Sequence, residues 1–448
     1  MTTAPPESHA RTVLRHSVAT FGTRIGIVLV NIPTSILVAR ILGTEGQGIY
    51  ASAIIFPTMF ASIGLLGIDA AHTYMLSGKR ATLGQINGQT LRLLAALSLI
   101  ITPLYLLFTK LYAGAREPGL SAVLSLAAAV IPILLAKYFS VAMLLGLHRI
   151  KWFNIGNAVQ AVVLLGLMCV NLLVFEGGAR GALVAYMVSE LFVVGIAVVV
   201  ARREASGKPL VERPPPGLFR RSLVYGLQGH AGNVLIQFTY RFDMFLVLSM
   251  VGLAAQGLYS ISVVLAEKLS HIPQSIQVVL FPKLSSLTAD DANRLTPRVL
   301  RNSFFLTFLA GVALYLLSRP ILLLFYGTAY LPALKAFQVL LPGIVMLSVV
   351  KILSGDFSGR DKRLYHTIAS GAGFAVNLAL CLVWIPRYGI EGAAWASTVA
   401  YTVQGVFMLS FFRRFSGCGL AESLIVRGED FRAYGDLARR VLRRGRRG

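Results

Sequence analysis

Long apolar runs, broken by short polar stretches, fill the chain from residue 17 to residue 412. A helix needs about 20 predominantly apolar residues to cross a bilayer core, and twelve runs meet that requirement. The predicted spans are 17–39, 48–68, 91–109, 120–146, 154–175, 181–201, 222–250, 257–280, 302–325, 332–354, 366–385 and 390–412. They predict an all-α, polytopic membrane protein. Residues 1–16 are polar, and the first run is too long for a cleavable signal and has no small-residue cleavage site after it. The first span is therefore expected to stay in the protein.

The runs also repeat. GTEGQGIYASAI at 43–54 resembles VGLAAQGLYSIS at 251–262, aligning Gly48 with Gly257 and Tyr50 with Tyr259 at an offset of 209 residues. GALVAYMVSELFVVGIAVVVARR at 181–203 resembles GAAWASTVAYTVQGVFMLSFFRR at 392–414 at an offset of 211. Each repeat holds six spans, an even number, so both halves enter the membrane in the same orientation, related by an axis along the membrane normal. The expected organisation is a cytoplasmic N-terminus (1–16), an N-terminal six-helix bundle (17–201), a cytoplasmic linker (202–221), a C-terminal six-helix bundle (222–412) and a basic cytoplasmic tail (413–448). Prolines and charges suit the linker to an exposed connection. In the tail, Phe431, Tyr434, Leu437 and Val441 recur at helical spacing opposite a basic face. That fits either a helix on an anionic leaflet or a disordered basic tail that fixes topology.

Composition agrees: of 448 residues 56% are hydrophobic and only 14% charged, against about 25% in a soluble domain. The formal charge of +23 raises the question of nucleic acid. Its placement answers it: with both termini cytoplasmic, 30 of the 42 Lys and Arg fall in inner segments and seven in outer loops. That is the bias of the positive-inside rule, so no nucleic-acid partner is expected. Cys169, Cys381 and Cys418 offer neither a disulfide framework nor metal spacing. There is no GxxxxGK[ST] loop, no HExxH and no GxSxG, and the seven histidines are scattered. His230 and His271, near span ends, are expected to hydrogen-bond locally. Neither catalysis nor a cofactor or metal is expected, and transport becomes the leading class.

Charges inside the spans carry the functional signal. Arg24, Lys137, Arg241, Lys268 and Lys351 lie within them, and Asp69, Glu190, Asp243, Glu267 and Asp356 lie within or near them. Facing lipid, the five bases would cost roughly 12 to 18 kcal/mol, more than the about 5 to 15 kcal/mol net stability of a typical fold. They must be paired, snorkelling, or lining water. Arg241 and Asp243 are two residues apart, Glu267 and Lys268 one, Lys351 and Asp356 five. None has the spacing of three or four that brings helical side chains together, so partners are expected on other helices, around a polar interior shared by spans 1, 4, 6, 7, 8 and 10. Pro33, Pro57, Pro132 and Pro342 and the series Gly226, Gly229, Gly232 are read mainly as packing devices.

RILGTEGQGIYASAI at 40–54, TYRFDMFLVLSMVGLAAQGLYSISVVLAEKL at 239–269, VLFPKLSSL at 279–287 and IPRYGIEGAAWASTVAY at 385–401 resemble the polysaccharide flippases. These are the O-antigen type members of the multidrug/oligosaccharidyl-lipid/polysaccharide exporter superfamily. The resemblance implies a bacterial inner-membrane protein that moves polyprenyl-pyrophosphate-linked oligosaccharide between leaflets by alternating access, through a cationic cavity between two six-span halves. Membrane lipids, a coupling ion (a proton or sodium) and other polysaccharide assembly proteins are the partners it implies. Arg24 and Arg241 first, then Lys137 and Lys268, are the residues expected to compensate the pyrophosphate, arginine by its bidentate fork and lysine as a mobile point charge. Glu190, Asp243 and Glu267 either hold the cations apart in the empty cavity or bind the coupling ion.

Three other functions compete. A multidrug exporter of the same superfamily would want dominant cavity acids, yet the spans hold five of each sign. A lipid II flippase differs only in headgroup. A membrane-embedded glycosyltransferase or ligase needs a large outer loop or clustered carboxylates, and every predicted outer loop is short.

Overall fold

A computed structural model describes residues 6–430 apart from 114–117, 285–287, 361 and 429. The amphipathic segment expected from Phe431 onward lies outside the described residues. The described residues are helical almost throughout and hold no strand.

Eight helical stretches are long and apolar enough to cross a membrane: 22–64, 83–112, 119–146, 150–174, 178–205, 290–326, 333–359 and 363–416. Two of these count twice. Pro6–Gly64 breaks at Gly43 (φ 67°, ψ −173°) and Arg363–Ser416 breaks at Gly389 (φ 57°, ψ −134°). A straight helix of either length would run roughly 80 to 90 Å, far beyond a hydrocarbon core of about 30 Å. The remaining crossings are Leu218–Met250 and the run 253–284, whose apolar character is diluted by Arg241, Asp243, Glu267 and Lys268. The spans are numbered 1 to 12 in chain order: 6–42, 44–77, 83–113, 118–146, 150–174, 178–205, 218–250, 253–284, 289–326, 333–359, 363–388 and 390–416.

The backbone carries the repeat seen in the sequence. Gly43 between spans 1 and 2 is matched, 209 residues on, by Gly252 (φ 114°) between spans 7 and 8. Gly178 (φ 57°) opening span 6 is matched, 211 residues on, by Gly389 (φ 57°) before span 12. All four sit where an L side chain is strained, so glycine holds the reversals in both halves. The long crossings are not uniform helices. Span 8 is interrupted by a 3-10 turn at Lys268–Ser270, and spans 5 and 9 end in π-helical turns, Val170–Val174 and Leu322–Tyr326.

Each half has its own apolar centre. Phe56, Leu93, Leu97, Leu124, Ile131, Leu135 and Leu183 pack in the first; Val247, Phe337, Leu341, Ile344, Val350, Phe357 and Met408 in the second. Within lipid no hydrophobic effect drives helices together, so close packing through small residues does. Gly343 receives Thr398, Gly405 receives Met346, and Gly232 receives Thr367. The packing role expected of the Gly226 series holds at Gly226 and Gly232, whereas Gly229 has open space beside it.

The linker is largely exposed and is pinned to span 3. The Glu212 amide donates to the Gly84 carbonyl at 2.9 Å, Asn87 Nδ2 donates to the Leu210 carbonyl at 2.9 Å, and Thr82 Oγ1 donates to Glu212 Oε2 at 2.8 Å. Gly84 and Gly88 make room for the Glu212 backbone and side chain. Two glycines one helical turn apart on span 3 give its backbone somewhere to lie.

Candidate functional site: a cleft between the halves

The end of the bundle opposite the termini is closed. Gly48 of span 2 and Gly257 of span 8 lie against each other's helices at Leu253 and Thr44, with Ala39, Ile261, Leu322, Tyr326 and Tyr330 packed beside them. Polar contacts staple the same seam. Arg40 donates through Nε to the Phe325 carbonyl at 2.8 Å and through Nη2 to the Leu324 carbonyl at 2.5 Å. The Tyr330 hydroxyl lies 3.0 Å from the Ala39 carbonyl and 2.9 Å from that of Gly43, and Tyr326 meets Ser35 at 3.0 Å. The π turn supplies the two carbonyls that Arg40 engages, because its last carbonyls have no partner inside the helix. On the other flank Phe245 of span 7 enters an aromatic group of Phe56, Phe108 and Tyr112, with ring centroids 5.2 to 6.0 Å away.

Toward the termini the two flanks differ. Spans 2 and 3 stay on span 7: Tyr74 stacks on Tyr225 at 4.3 Å, Gly67 and Gly226 bring backbones together, and Gln89 Nε2 donates to Ser222 Oγ at 3.1 Å. His230 joins them through Nε2, 2.9 Å from the Ile63 carbonyl of the opposite half. Its contact is thus across the halves, a correction to the local bond expected of it; helix packing put a carbonyl within reach that sequence distance concealed. Between spans 1 and 8 contact thins at the same depth. Gly22 and Gly26 have nothing within 4 Å of where a Cβ would stand, and Leu29 is 62% exposed. The halves are thus sealed at one end and more loosely joined, between spans 1 and 8, at the other.

Two pairs of in-span charges form between helices, as spacing required. Lys137 of span 4 pairs with Glu190 of span 6 at 2.6 Å, and Arg241 of span 7 grips Glu267 of span 8 with both nitrogens, at 3.0 and 3.1 Å. Both pairs keep access to space, Lys137 at 21% exposure, Arg241 at 28% and Glu267 at 29%. Glu190 is 3% exposed. The 3-10 turn at Lys268–Ser270 explains how adjacent Glu267 and Lys268 take separate roles, since the helix breaks between them. Arg24, from the opposite half, acts electrostatically on His271 of span 8, as does Lys268 one turn away on the same span. Among the described residues neither Arg24 nor Lys268 has an ion-pair partner.

Asp243 is buried and does not meet Arg241 directly. Tyr259 Oη and Ser397 Oγ donate to its Oδ2 at 2.6 and 2.7 Å, the Met244 amide donates to Oδ1 at 2.7 Å, and Asn377 Nδ2 donates to Ser397 Oγ at 3.2 Å. Spans 7, 8, 11 and 12 thus converge on one carboxylate. Lys351 lies 5.1 Å from the Tyr240 ring centroid. Asp356 corrects the expectation of a partner on another helix: its ion pair is with Arg360, one turn on in the same helix, at 2.9 Å, supplemented by Thr296 at 2.7 Å. Span 10 runs to Gly359, about one turn beyond the predicted 354, and that turn brings Arg360 into range.

Sequence reasoning missed Arg40, Tyr326 and Tyr330 as gate residues and Tyr259, Asn377 and Ser397 as partners of Asp243. A signal existed only for Tyr259, which aligns with Tyr50 in the repeat.

The fold has known counterparts. The chain superposes on an inward-facing multidrug resistance MATE family transporter of the MOP superfamily with a TM-score of 0.70, at 14% identity, covering 87% of this chain and 94% of that one. It superposes on the lipid II flippase MurJ in an inward closed conformation with a TM-score of 0.68, at 16% identity, covering 89% and 87%. These likenesses show the fold, two six-span halves. The model of the polysaccharide biosynthesis protein family matches residues 13–288, more than half the chain, and the protein belongs to that family. A putative O-antigen transporter of Shigella flexneri is 22% identical over 409 residues, 86% of this chain and 94% of that protein. An uncharacterised membrane protein of Methanocaldococcus jannaschii is 24% identical over 205 residues, 44% of this chain and 40% of its own length.

Proposed function

We propose that the protein is a flippase that carries polyprenyl-pyrophosphate-linked oligosaccharide from the cytoplasmic to the periplasmic leaflet of a bacterial inner membrane by alternating access. The carrying observation is the loosely joined flank between spans 1 and 8, where Arg24 and Lys268 come from opposite halves and neither has an ion-pair partner among the described residues. A pyrophosphate is anionic and hydrated, whereas its polyprenyl tail belongs in lipid; a flank that parts sideways suits a molecule with both. The distribution of Lys and Arg supports cytoplasmic termini, and so a cleft facing the cytoplasm.

In this reading Arg24 and Lys268 receive the headgroup first. Glu267 occupies Arg241 while the cleft is empty, and the phosphate displaces it, because a doubly charged group competes better for the guanidinium fork. Lys137, held by Glu190, extends the positive field into the N-terminal half. Asp243, with its cage of hydroxyls, is the candidate for a coupling proton or sodium ion. A charge crossing the field would supply about 2.3 kcal/mol per 100 mV.

Reconstitution tests the proposal. Purified protein in vesicles should move a labelled polyprenyl-pyrophosphate glycan faster than an unrelated cationic dye, and Arg24→Ala and Arg241→Ala should abolish that movement while the protein stays inserted and abundant. Preference for the dye would support a drug exporter, and preference for lipid II a different headgroup. Unchanged glycan movement by both variants and their double would remove the assigned role of the arginines.

A further inference from the structure

Span 3 and the returning linker enclose a groove of about 760 Å³ on the outside of the bundle, away from the cleft. Gln89, Arg92, Leu93 and Ala96 line it from one helical face, at spacings of three, four and seven residues; Arg213, Pro214–Gly217 and Phe219 line it from the linker and the start of span 7. No lining residue is acidic, and neither arginine has an ion-pair partner among the described residues. Arg92, Arg213, Ala96 and Phe219 are all exposed. Depth fixes the surroundings. The apolar run of span 3 begins at Leu91, so Arg92 stands where hydrocarbon gives way to headgroups, and Ala96 lies one turn deeper. The groove is preformed, because hydrogen bonds at Gly84 and Asn87 pin the linker and three consecutive prolines stiffen its return.

We infer that this groove binds an anionic phospholipid, whose phosphate sits between Arg92 and Arg213 and whose acyl chain runs over Ala96 and Phe219. Two unpaired guanidiniums at headgroup depth call for a phosphodiester, which each fork can engage bidentately. The apolar floor toward the bilayer calls for a chain attached to it, which a free phosphate lacks. Because Arg92 belongs to the N-terminal half and Phe219 opens span 7, the bound lipid braces the closed flank and leaves the looser flank between spans 1 and 8 free to move. The site is independent of the flippase reading.

The test uses the full-length purified protein, with lipid retention read by native mass spectrometry and thermal stability read in parallel. Phosphatidylglycerol should bind the parent and raise its Tm, whereas phosphatidylcholine should do neither. Arg92→Gln and Arg213→Gln should each weaken phosphatidylglycerol binding roughly fivefold, as expected for about 1 kcal/mol per basic residue; Arg413→Gln with Arg414→Gln should not. Ala96→Trp, which fills the floor and keeps both charges, should also release the lipid. Equal binding of the two lipids, retention undiminished in the double arginine variant or in Ala96→Trp, or saturation by glycerol 3-phosphate at the concentration of the lipid would each overturn the inference.

Discussion

Closure at the far end rests on two glycines, and adding a methyl group there should open it. A Cβ on Gly257 would fall 2.8 Å from the Thr44 carbonyl carbon, and closer still to its oxygen; one on Gly48 would fall 3.0 Å from the Leu253 carbonyl carbon. Carbon atoms rest at about 3.5 to 4.0 Å, so the two halves must part by about an ångström or strain the backbone. Overpacking of this kind costs typically about 1 to 3 kcal/mol, and it falls on the closed state alone. Gly257 sits inside a helix without positive φ, where alanine is favoured over glycine by up to about 1 kcal/mol in every state. Gly257→Ala should therefore leave folding intact and shift the gate equilibrium toward opening by roughly five- to 150-fold. Spin labels at Ile41 and Leu324, exposed residues on opposite halves beside the staple, would report it as a longer inter-label distance, with Gly48→Ala giving the same shift. Distance distributions unchanged from the parent in both variants would refute the seam as the element that sets the state.

Three further outcomes follow from the same structure. Gln256 is fully buried at this seam with neither amide atom partnered among the described residues, a penalty of about 1 to 3 kcal/mol in the closed state; Gln256→Met should lengthen the closed lifetime and shorten the same inter-label distances. Glu267→Gln should leave Arg241 with a neutral neighbour and tighten binding of inorganic pyrophosphate, measured by calorimetry, while slowing transport. Asp430 is buried against Arg301, at 2.6 and 2.9 Å, and that guanidinium holds its carboxyl well below the usual carboxylate range. Since the docked state favours the ionised form, the segment 419–428 should stay protected from amide exchange across neutral pH and lose protection only as pH drops below about 4. Asp430→Asn should remove that protection at pH 7, at a cost of about 3 to 5 kcal/mol for a buried pair broken on one side.

The hydrophobic pattern by itself determined the twelve crossings and their repeat, because crossing length is a local quantity. It also determined that the in-span charges need company, since the bilayer's cost for an isolated charge applies wherever the helix is placed. Which groups meet was decided only by tertiary structure. Glu267 reaches Arg241 across 26 residues and Ser397 reaches Asp243 across 154, and helical periodicity carries no information over such separations. The same holds for the closed end: in the sequence Gly48 and Gly257 are only matched positions of the repeat, and the apposition of the two halves makes them a seam. The linker and Arg360 show the converse, polar segments whose composition indicates solvent but whose partners, Gly84 and Asp356, are supplied by helix ends that extend beyond the apolar runs.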